Sequence, residues 1–388
     1  MTVWLRRLPL TAAGGVVAAL GIAAYVAGWQ LGWIELTVVA GGALVAIALG
    51  APFIVGPLRL EVVRTLAPER VMAGKKAQAI LQVRNASESR ISRRRLEDRL
   101  PGQRVVIEVP ALPAGERRQY SYKLPYEQRG VVPVGPAVIA RQDPLRLFRR
   151  AVPQEKADTL WVHPKYLPLP ALPVGFAKDL EGPTSDTSPA GDVAFHALRE
   201  YEIGDDFRHI HWLSTARVGS PMVRHYVDNR RPHTTVVLDT RRSAMEPDQF
   251  EIAVQIAASL AVSAMAASQP FSVWNSDGPM AGKTKPGTRN DVLDRLAAVQ
   301  QDGQHKLKET SLQALRTETG TSVVVAVSGA IDAEEMTLLA HEAGRRARTV
   351  IARTWPPGPT FPQSVPRAKT IDAQSLEEFV AGWRRFAR

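Results

Sequence analysis

Hydrophobic and polar positions alternate in three different ways along this 388-residue chain. Residues 10–29 (LTAAGGVVAALGIAAYVAGW) and 36–55 (LTVVAGGALVAIALGAPFIV) are apolar throughout and carry no charge. Each is about the length an α-helix needs to cross a hydrocarbon core of roughly 30 Å. Only residues 30–35 separate them, which predicts a transmembrane helical hairpin over residues 1–58. Residues 59–170 change to short runs of period two at 60–63, 79–83, 105–109, 119–124, 138–140 and 160–162. Gly74, Asn85, Pro101-Gly102 and Pro133 to Pro136 punctuate them. That pattern predicts an all-β, sandwich-like domain. Residues 231–388 alternate strands with helices. Strands are expected at 235–238, 271–274, 322–327 and 349–352, and helices at 248–267, 290–299, 311–318, 333–346 and 375–386. The repetition predicts an α/β domain with a parallel sheet covered on both faces. The run 250–267 is apolar enough to suggest a third span. Glu251, Gln255, Ser259 and Ser263 recur along one side of it, so a core helix fits better.

The flanks of the hairpin predict its placement. Trp4, Trp29 and Trp33 stand where amphipathic rings favour the interface. Gly14, Gly15, Gly41 and Gly42 are expected to let the two backbones approach. Arg6, Arg7, Arg59 and Arg64 flank the outer ends, and the loop carries only Glu35. The rule that Lys and Arg stay inside therefore puts both ends, and the soluble domains, in the cytoplasm of a multi-pass cell-membrane protein. A cleaved signal peptide is the alternative, and the second span that follows at once argues against it. Charge adds a net +11 from 49 Lys and Arg against 38 Asp and Glu. The excess is scattered and suits a protein beside an anionic membrane better than a nucleic-acid binder. The Arg93-Arg94-Arg95 run, without interleaved aromatics, is expected to be an exposed turn facing lipid. No cysteine is present, which excludes a disulfide framework, a thiol nucleophile and Cys-ligated zinc.

Residues 166–190 are rich in Pro, Ser and Thr and open a linker and signature segment, 171–230. Gly278 to Gly282 is one residue short of a phosphate-binding loop and leads into no helix. The densest chemistry lies in GDVAFHALREYEIGDDFRHIHWLSTARVGSPMVRHYVD, residues 191–228. Arg199, Tyr201, Gly204, Asp205, Arg208, His211, Trp212, Arg217 and Arg224 are its candidate interaction residues. One reading is a lattice of Arg, carboxylate and aromatic groups pinning the linker to the α/β domain, with Asp205 and Trp212 buried. A second is a surface that docks a partner. A third is a metal or acid–base site of His209, His211 and Asp205, with His-x-His on a strand placing both rings on one face. No nucleophile stands in a recognised relation to these groups, and no catalytic residue is assigned.

The pattern Arg199-x-Tyr201-x-x-Gly204-Asp205-x-x-Arg208-x-Ile210-His211-Trp212, with Thr215-Ala216-Arg217 and Val223-Arg224, resembles the signature of the domain-of-unknown-function 58 family. Arg129-Gly130 and Asp143-Pro144-Leu145 resemble further features of that family, as do the paired spans. Leu213 departs from it, standing where the family usually has Lys. The resemblance implies a von Willebrand factor A-like domain and work beside MoxR-type AAA ATPases in assembly of protein complexes. A metal-competent von Willebrand A site opens with Asp-x-Ser-x-Ser after its first strand, a set of oxygens suited to Mg²⁺. Here the segment is Asp239-Thr240-Arg241-Arg242-Ser243, so Asp239 and Ser243 match while Arg241 brings a cation to the middle position. After the later strand stands Ser328-Gly329, where Asp-Gly is expected. The site is thus read as degenerate, holding no metal, and no cofactor is assigned. The sequence as a whole reads as a non-enzymatic, membrane-anchored binding or scaffold protein. Its partners are the lipid bilayer and a MoxR-type AAA ATPase, and not nucleic acid. The alternative is a metal-dependent hydrolase using His209, His211 and Asp205.

Overall fold

The structure, a computed structural model, describes residues 10–54, 60–153, 156–173, 193–202, 205–228, 232–282, 287–318, 320–329, 331, 333–354 and 365–387. It divides into two units, Met1–Val162 and His163–Arg388. Trp4, Arg6, Arg7, Arg59 and Gly204 lie outside the described residues, as does the linker from 174 to 192.

The first unit opens with two apolar helices, α1 (Ala12–Leu31) and α2 (Ile34–Gly50), the second extended by a 3₁₀ turn at Ala51–Ile54. Both are long and apolar enough to cross a membrane. Large apolar side chains such as Leu20, Ile22, Tyr25, Val38 and Leu44 are exposed. A helix apolar all round with so little buried partner surface suits lipid. The close approach of the pair falls at Gly21 and Gly28, where an added Cβ would press on Ala43 and Thr37. Gly15, Gly41 and Gly42, expected to serve this purpose, face open space. Gly14 serves a different neighbour: a Cβ there would meet the Leu147 carbonyl.

That neighbour is the turn following Asp143. The buried Asp143 carboxylate accepts the backbone N–H of Leu145 at 3.0 Å and of Phe148 at 2.6 Å. The turn so fixed presents the Leu147 carbonyl to Thr11 N at 2.9 Å, and the Thr11 hydroxyl donates to the Arg146 carbonyl at 2.6 Å. Leu147 and Phe148 pack with Ile54, Leu10, Val17 and Ile47. The Asp-Pro-Leu feature therefore ties the base of the helical pair to the strand-rich part.

Ten strands follow: β1 (Leu60–Ala67), β2 (Arg70–Met72), β3 (Lys76–Asn85), β4 (Arg94–Leu100), β5 (Gln103–Val109), β6 (Arg117–Pro125), β7 (Gly130–Val134), β8 (Ala137–Gln142), β9 (Arg149–Pro153) and β10 (Asp158–His163). Among the described residues they form sheets ordered β1-β3-β6, β2-β10-β7 and β5-β4-β8-β9. All six expected strands are present. The Arg93–Arg95 run is not a turn: Arg94 and Arg95 begin β4, because Leu96, Asp98 and Leu100 behind them turn inward. Arg64, counted above as a flanking charge, is buried. It pairs with Asp98 at 2.8 Å and Asp158 at 2.8 Å, and Tyr122 donates to Asp98 at 2.7 Å. Such a buried set tolerates loss of one member poorly, since the remaining charge is stranded.

The second unit contains the hairpin strands β11 (Val193–Glu200) and β12 (Met222–Asp228), with helix α3 (Trp212–Val218) between them. Then come β13 (His233–Leu238), α4 (Pro247–Ala266), β14 (Phe271–Asn275), β15 (Gly278–Ala281), α5 (Arg289–Ala298), α6 (Leu307–Thr317), β16 (Thr321–Ser328), α7 (Ala333–Ala343), β17 (Arg348–Thr354), β18 (Ala368–Ala373) and α8 (Leu376–Phe386). The sheet order is β15-β14-β13-β16-β17-β18. Its pairings are parallel except β14 with β15, so the sheet is mixed. Successive residues of β13 serve opposite cores: Val236 and Leu238 pack with α4, α5 and α8, and Val237 with α6 and α7. Fully buried strands with period-two packing are what a sheet covered on both faces requires. Gly278–Ala281 is the antiparallel edge strand. Helix α4 is long and apolar enough to span a bilayer, but ten of its residues, from Phe250 to Ala264, are buried in the unit. Ser259 and Ser263, read as its polar side, accept the N–H of Leu167 at 3.1 Å and Leu169 at 2.9 Å. The start of the expected linker is thus a strap: Leu169 and Leu172 are buried, and Trp383 Nε1 donates to the Pro170 carbonyl at 3.2 Å.

Candidate functional site

Two places concentrate the chemistry. The first is the carboxyl end of β13, where crevices open in parallel sheets. Asp239 is fully buried there. Arg241 reaches back over it, with Nε 3.0 Å from Oδ1 and Nη2 2.8 Å from Oδ2. The Arg241 backbone N–H adds a bond of 3.1 Å, and the Ser328 hydroxyl donates to Oδ2 at 2.8 Å. Arg241 also lies 3.5 Å from Glu335 at the start of α7. Its pKa is raised, first by the hydrogen bond from its own side chain to Asp239, against the cost of burial. A bidentate guanidinium thus occupies the face of the carboxylate that a divalent ion would need. Ser243 is exposed, and Ser328 binds Asp239 rather than an ion. Among the described residues no group of three or more His, Cys, Asp or Glu could hold a metal.

The second is the signature hairpin. β11 and β12 pair antiparallel, Arg199 opposite Val223 and Glu200 opposite Met222. Arg199 Nη2 lies 2.5 Å from Asp205 Oδ1, and Asp205 Oδ2 accepts the Glu202 N–H at 2.9 Å. The bond to Asp205 raises the Arg199 pKa above its ordinary value. Asp206 then caps a 3₁₀ turn, Phe207–His209, by accepting the Arg208 N–H at 2.9 Å. Tyr201 stacks on Phe207 with centroids 5.5 Å apart. The His211 N–H bonds the Met222 carbonyl at 2.7 Å, the His211 ring lies 2.7 Å from the Ser214 hydroxyl, and Thr215 accepts the Met222 N–H at 2.9 Å. Gly219, at φ 84°, ends α3 in the left-handed conformation that glycine tolerates best.

These bonds close the segment on itself. Arg199 does pair with Asp205, but the carboxylate is only partly buried, and the bonds described run within the segment rather than to the α/β sheet. The lattice reading is wrong for Trp212, which is 69% exposed. The expectation of a strand carrying His209 and His211 fails as well. His209 ends the 3₁₀ turn that Asp206 caps, and His211 immediately precedes α3. Arg208 and Arg217 are exposed, and the side chain of Arg224 on β12 is outside the description. Sequence reasoning missed the apolar surface. Phe207 (69% exposed), Leu213 and Val218 are exposed, as Trp212 is. The only hint was the aromatic and aliphatic content of a segment whose polar groups drew attention first.

An apolar helical pair, a strand-rich region and an α/β unit carrying this hairpin define the class of protein. Residues 197–355 match the family described as protein of unknown function DUF58. No match was found among the curated proteins. Among solved structures, a CARDB domain from Pyrococcus furiosus is similar at 16% identity, covering 26% of this chain and 84% of its own, with a TM-score of 0.21. The sporulation control protein Spo0M of Bacillus subtilis is similar at 14% identity over 27% of this chain and 50% of its own, TM-score 0.16. A beta-glucosidase of Listeria innocua is similar at 13% identity over 28% of this chain and 16% of its own, TM-score 0.18. Likeness at this level carries no argument about function.

Proposed function

We propose that the protein is a non-enzymatic, membrane-anchored scaffold that presents the signature hairpin to a cytoplasmic partner, a MoxR-type AAA ATPase. In this reading the helical pair spans the bilayer twice. The β region is a sandwich-like spacer, and the α/β unit is a von Willebrand A-like platform. The observation that carries it is the exposure of Phe207, Trp212, Leu213 and Val218 between two strands that are otherwise tied down. Large aromatic side chains in the open are costly unless something covers them, and Trp and Tyr anchors dominate binding energy at interfaces. The naming of the ATPase rests on the family resemblance alone. The hydrolase alternative draws no support from the donor geometry, because Arg199 already holds Asp205 and the two His belong to different turns.

A photo-crosslinking residue at position 212, activated in native membranes, tests the reading. Capture of a MoxR-type ATPase supports it, and capture that persists unchanged in a Phe207→Ala/Leu213→Ala background counts against this surface. Orientation is read separately: protease added to intact cells should spare the chain after residue 59. Cleavage from outside would reverse the topology.

A further inference from the structure

We propose that the arginine-lined cavity between β4, β8 and the base of the helical pair binds the phosphate headgroup of an anionic phospholipid. The proposal rests on the membrane placement of the pair and not on the ATPase reading. The register shows why the cavity is unusual. β4 pairs with β8 with Arg95 opposite Ala140, so the preceding Arg94 lies beside Arg141. Arg141 in turn stands opposite Arg150 of β9. Three arginines are thus in register across neighbouring strands on one face, where like charges facing one another are unfavourable. Burial lowers the Arg94 pKa and the nearby Arg141 lowers it further; burial and Arg150 do the same to Arg141. Arg94 Nη1 donates to the Arg93 carbonyl at 3.1 Å, and its buried Nε has no partner.

Among the described residues, the acidic groups lining the cavity have partners other than Arg94, Arg141 and Arg146. Glu108 takes Arg93 at 2.8 Å and Arg95 at 3.7 Å. Glu97 takes Arg104 at 3.2 Å and Arg149 at 2.5 Å, and Asp143 holds its own turn. The open space is about 480 Å³, lined by Arg94, Arg141 and Arg146 and rimmed by the exposed Phe53. Its position selects a lipid over a dissolved ion. Phe53 sits where the apolar surface of α2 ends, Arg150 Nη1 lies 3.4 Å from the Ile54 carbonyl, and the Arg146 carbonyl receives Thr11 at the start of α1. A headgroup at the bilayer surface would therefore meet the guanidinium forks with its glycerol against Phe53. Planar forks match phosphate oxygens, and basic pockets beside membrane helices suit anionic headgroups.

The test uses the full chain in neutral detergent and in vesicles of phosphatidylcholine, alone or mixed with phosphatidylglycerol. Native mass spectrometry should show phosphatidylglycerol retained and phosphatidylcholine lost. Binding should weaken about fivefold for each arginine removed in Arg94→Gln/Arg141→Gln. Arg141→Lys, keeping charge but not the fork, should fall between. Arg117→Gln, on β6 outside the cavity, should bind as the wild type does. The proposal is overturned by undiminished retention in the double variant, or by an equal loss in Arg117→Gln. It is also overturned if inorganic phosphate displaces the lipid at matched concentration, which would make the cavity a site for the free ion.

Discussion

Removing the charge of Arg241 while keeping most of its bulk, as in Arg241→Met, isolates the ion pair at the end of β13. Asp239 is fully buried and Arg241 is 16% exposed, so water screens the pair little. The substitution deletes two charge-assisted bonds, at 2.8 and 3.0 Å. Bonds to charged groups contribute about 1.5–3 kcal/mol each, and breaking a buried pair from one side costs about 3–5 kcal/mol. Ser328 Oγ and the residue-241 backbone N–H still donate to Asp239, which places the expected loss near the lower limit, about 3 kcal/mol. For a unit of this size that is a fall of about 6–12 °C in melting temperature. Adding Asp239→Asn should recover part of the loss, because no charge is then stranded, with a coupling of about 1–3 kcal/mol across the double-mutant cycle. Thermal and urea unfolding of the full chain in detergent, followed by circular dichroism, measures all three variants. An additive double variant, or a single variant within about 0.5 kcal/mol of wild type, would falsify the claim that the guanidinium is the structural counter-ion of Asp239.

Three further outcomes are expected. Trp212→Ala should leave the melting temperature within about 0.5 kcal/mol of wild type while abolishing crosslinked partner capture from neighbouring positions; a large loss of stability would mean that the ring is packed. Asp143→Ala strands the buried N–H of Phe148, at about 1–3 kcal/mol, frees the part-buried N–H of Leu145, and should open residues 143–148 to limited proteolysis in detergent; unchanged cleavage would contradict the clamp. Tyr122 has its pKa raised by burial first and then by its bond to Asp98. The neutral phenol therefore stabilises the fold fully below its unfolded pKa of about 10, and this contribution is lost as pH rises further. Tyr122→Phe should flatten the alkaline decline in stability, at a cost of about 1.5–3 kcal/mol at neutral pH for the lost bond to a charged acceptor. A parallel pH profile in the variant would assign the decline to other groups.

What could be read from the sequence follows from which signals are local. The two apolar helices, the alternating strands and the strand–helix repetition are periodic, and each sits close to its expected place. The edge strands Gly278–Ala281 and Ala368–Ala373 were missed because neither is a run of β-branched residues; neighbours in the sheet, rather than propensity, make them strands. The helix-approach glycines were misassigned for a similar reason. Gly14, Gly15, Gly41 and Gly42 stand out as pairs in the sequence, but the crossing geometry puts contact at Gly21 and Gly28. The effect of Arg241 at the strand end was legible, since a cation two residues after the first acid opposes an ion wherever the side chain turns. Its bidentate return to Asp239 was not, because that depends on the turn after β13.

The signature hairpin shows where residue content misleads about placement. Its density of Arg, Asp, His and Trp suggested a buried lattice, and only part of that set is used in one. Arg199, Asp205, Asp206, His211 and Thr215 satisfy the backbone and one another across a short insertion, which fixes its shape at little expense of core. In the proposed reading, recognition falls to the exposed side chains Phe207, Trp212, Leu213 and Val218; Arg208 and Arg217 are exposed as well. The polar motif, in that reading, holds the shape and the exposed apolar side chains meet the partner. The two sets make different demands on substitution. Changing the ties should alter both stability and binding, whereas changing the apolar surface should alter binding alone. Paired measurements on Asp205→Asn and Leu213→Ala separate the two. Asp205→Asn keeps an acceptor but loses an ion pair that is partly exposed, a loss of about 1 kcal/mol or less, together with weaker capture. Leu213→Ala, at a side chain already in solvent, should weaken capture with no change in melting temperature. Equal effects of the two on stability would collapse the distinction and return the whole segment to the core.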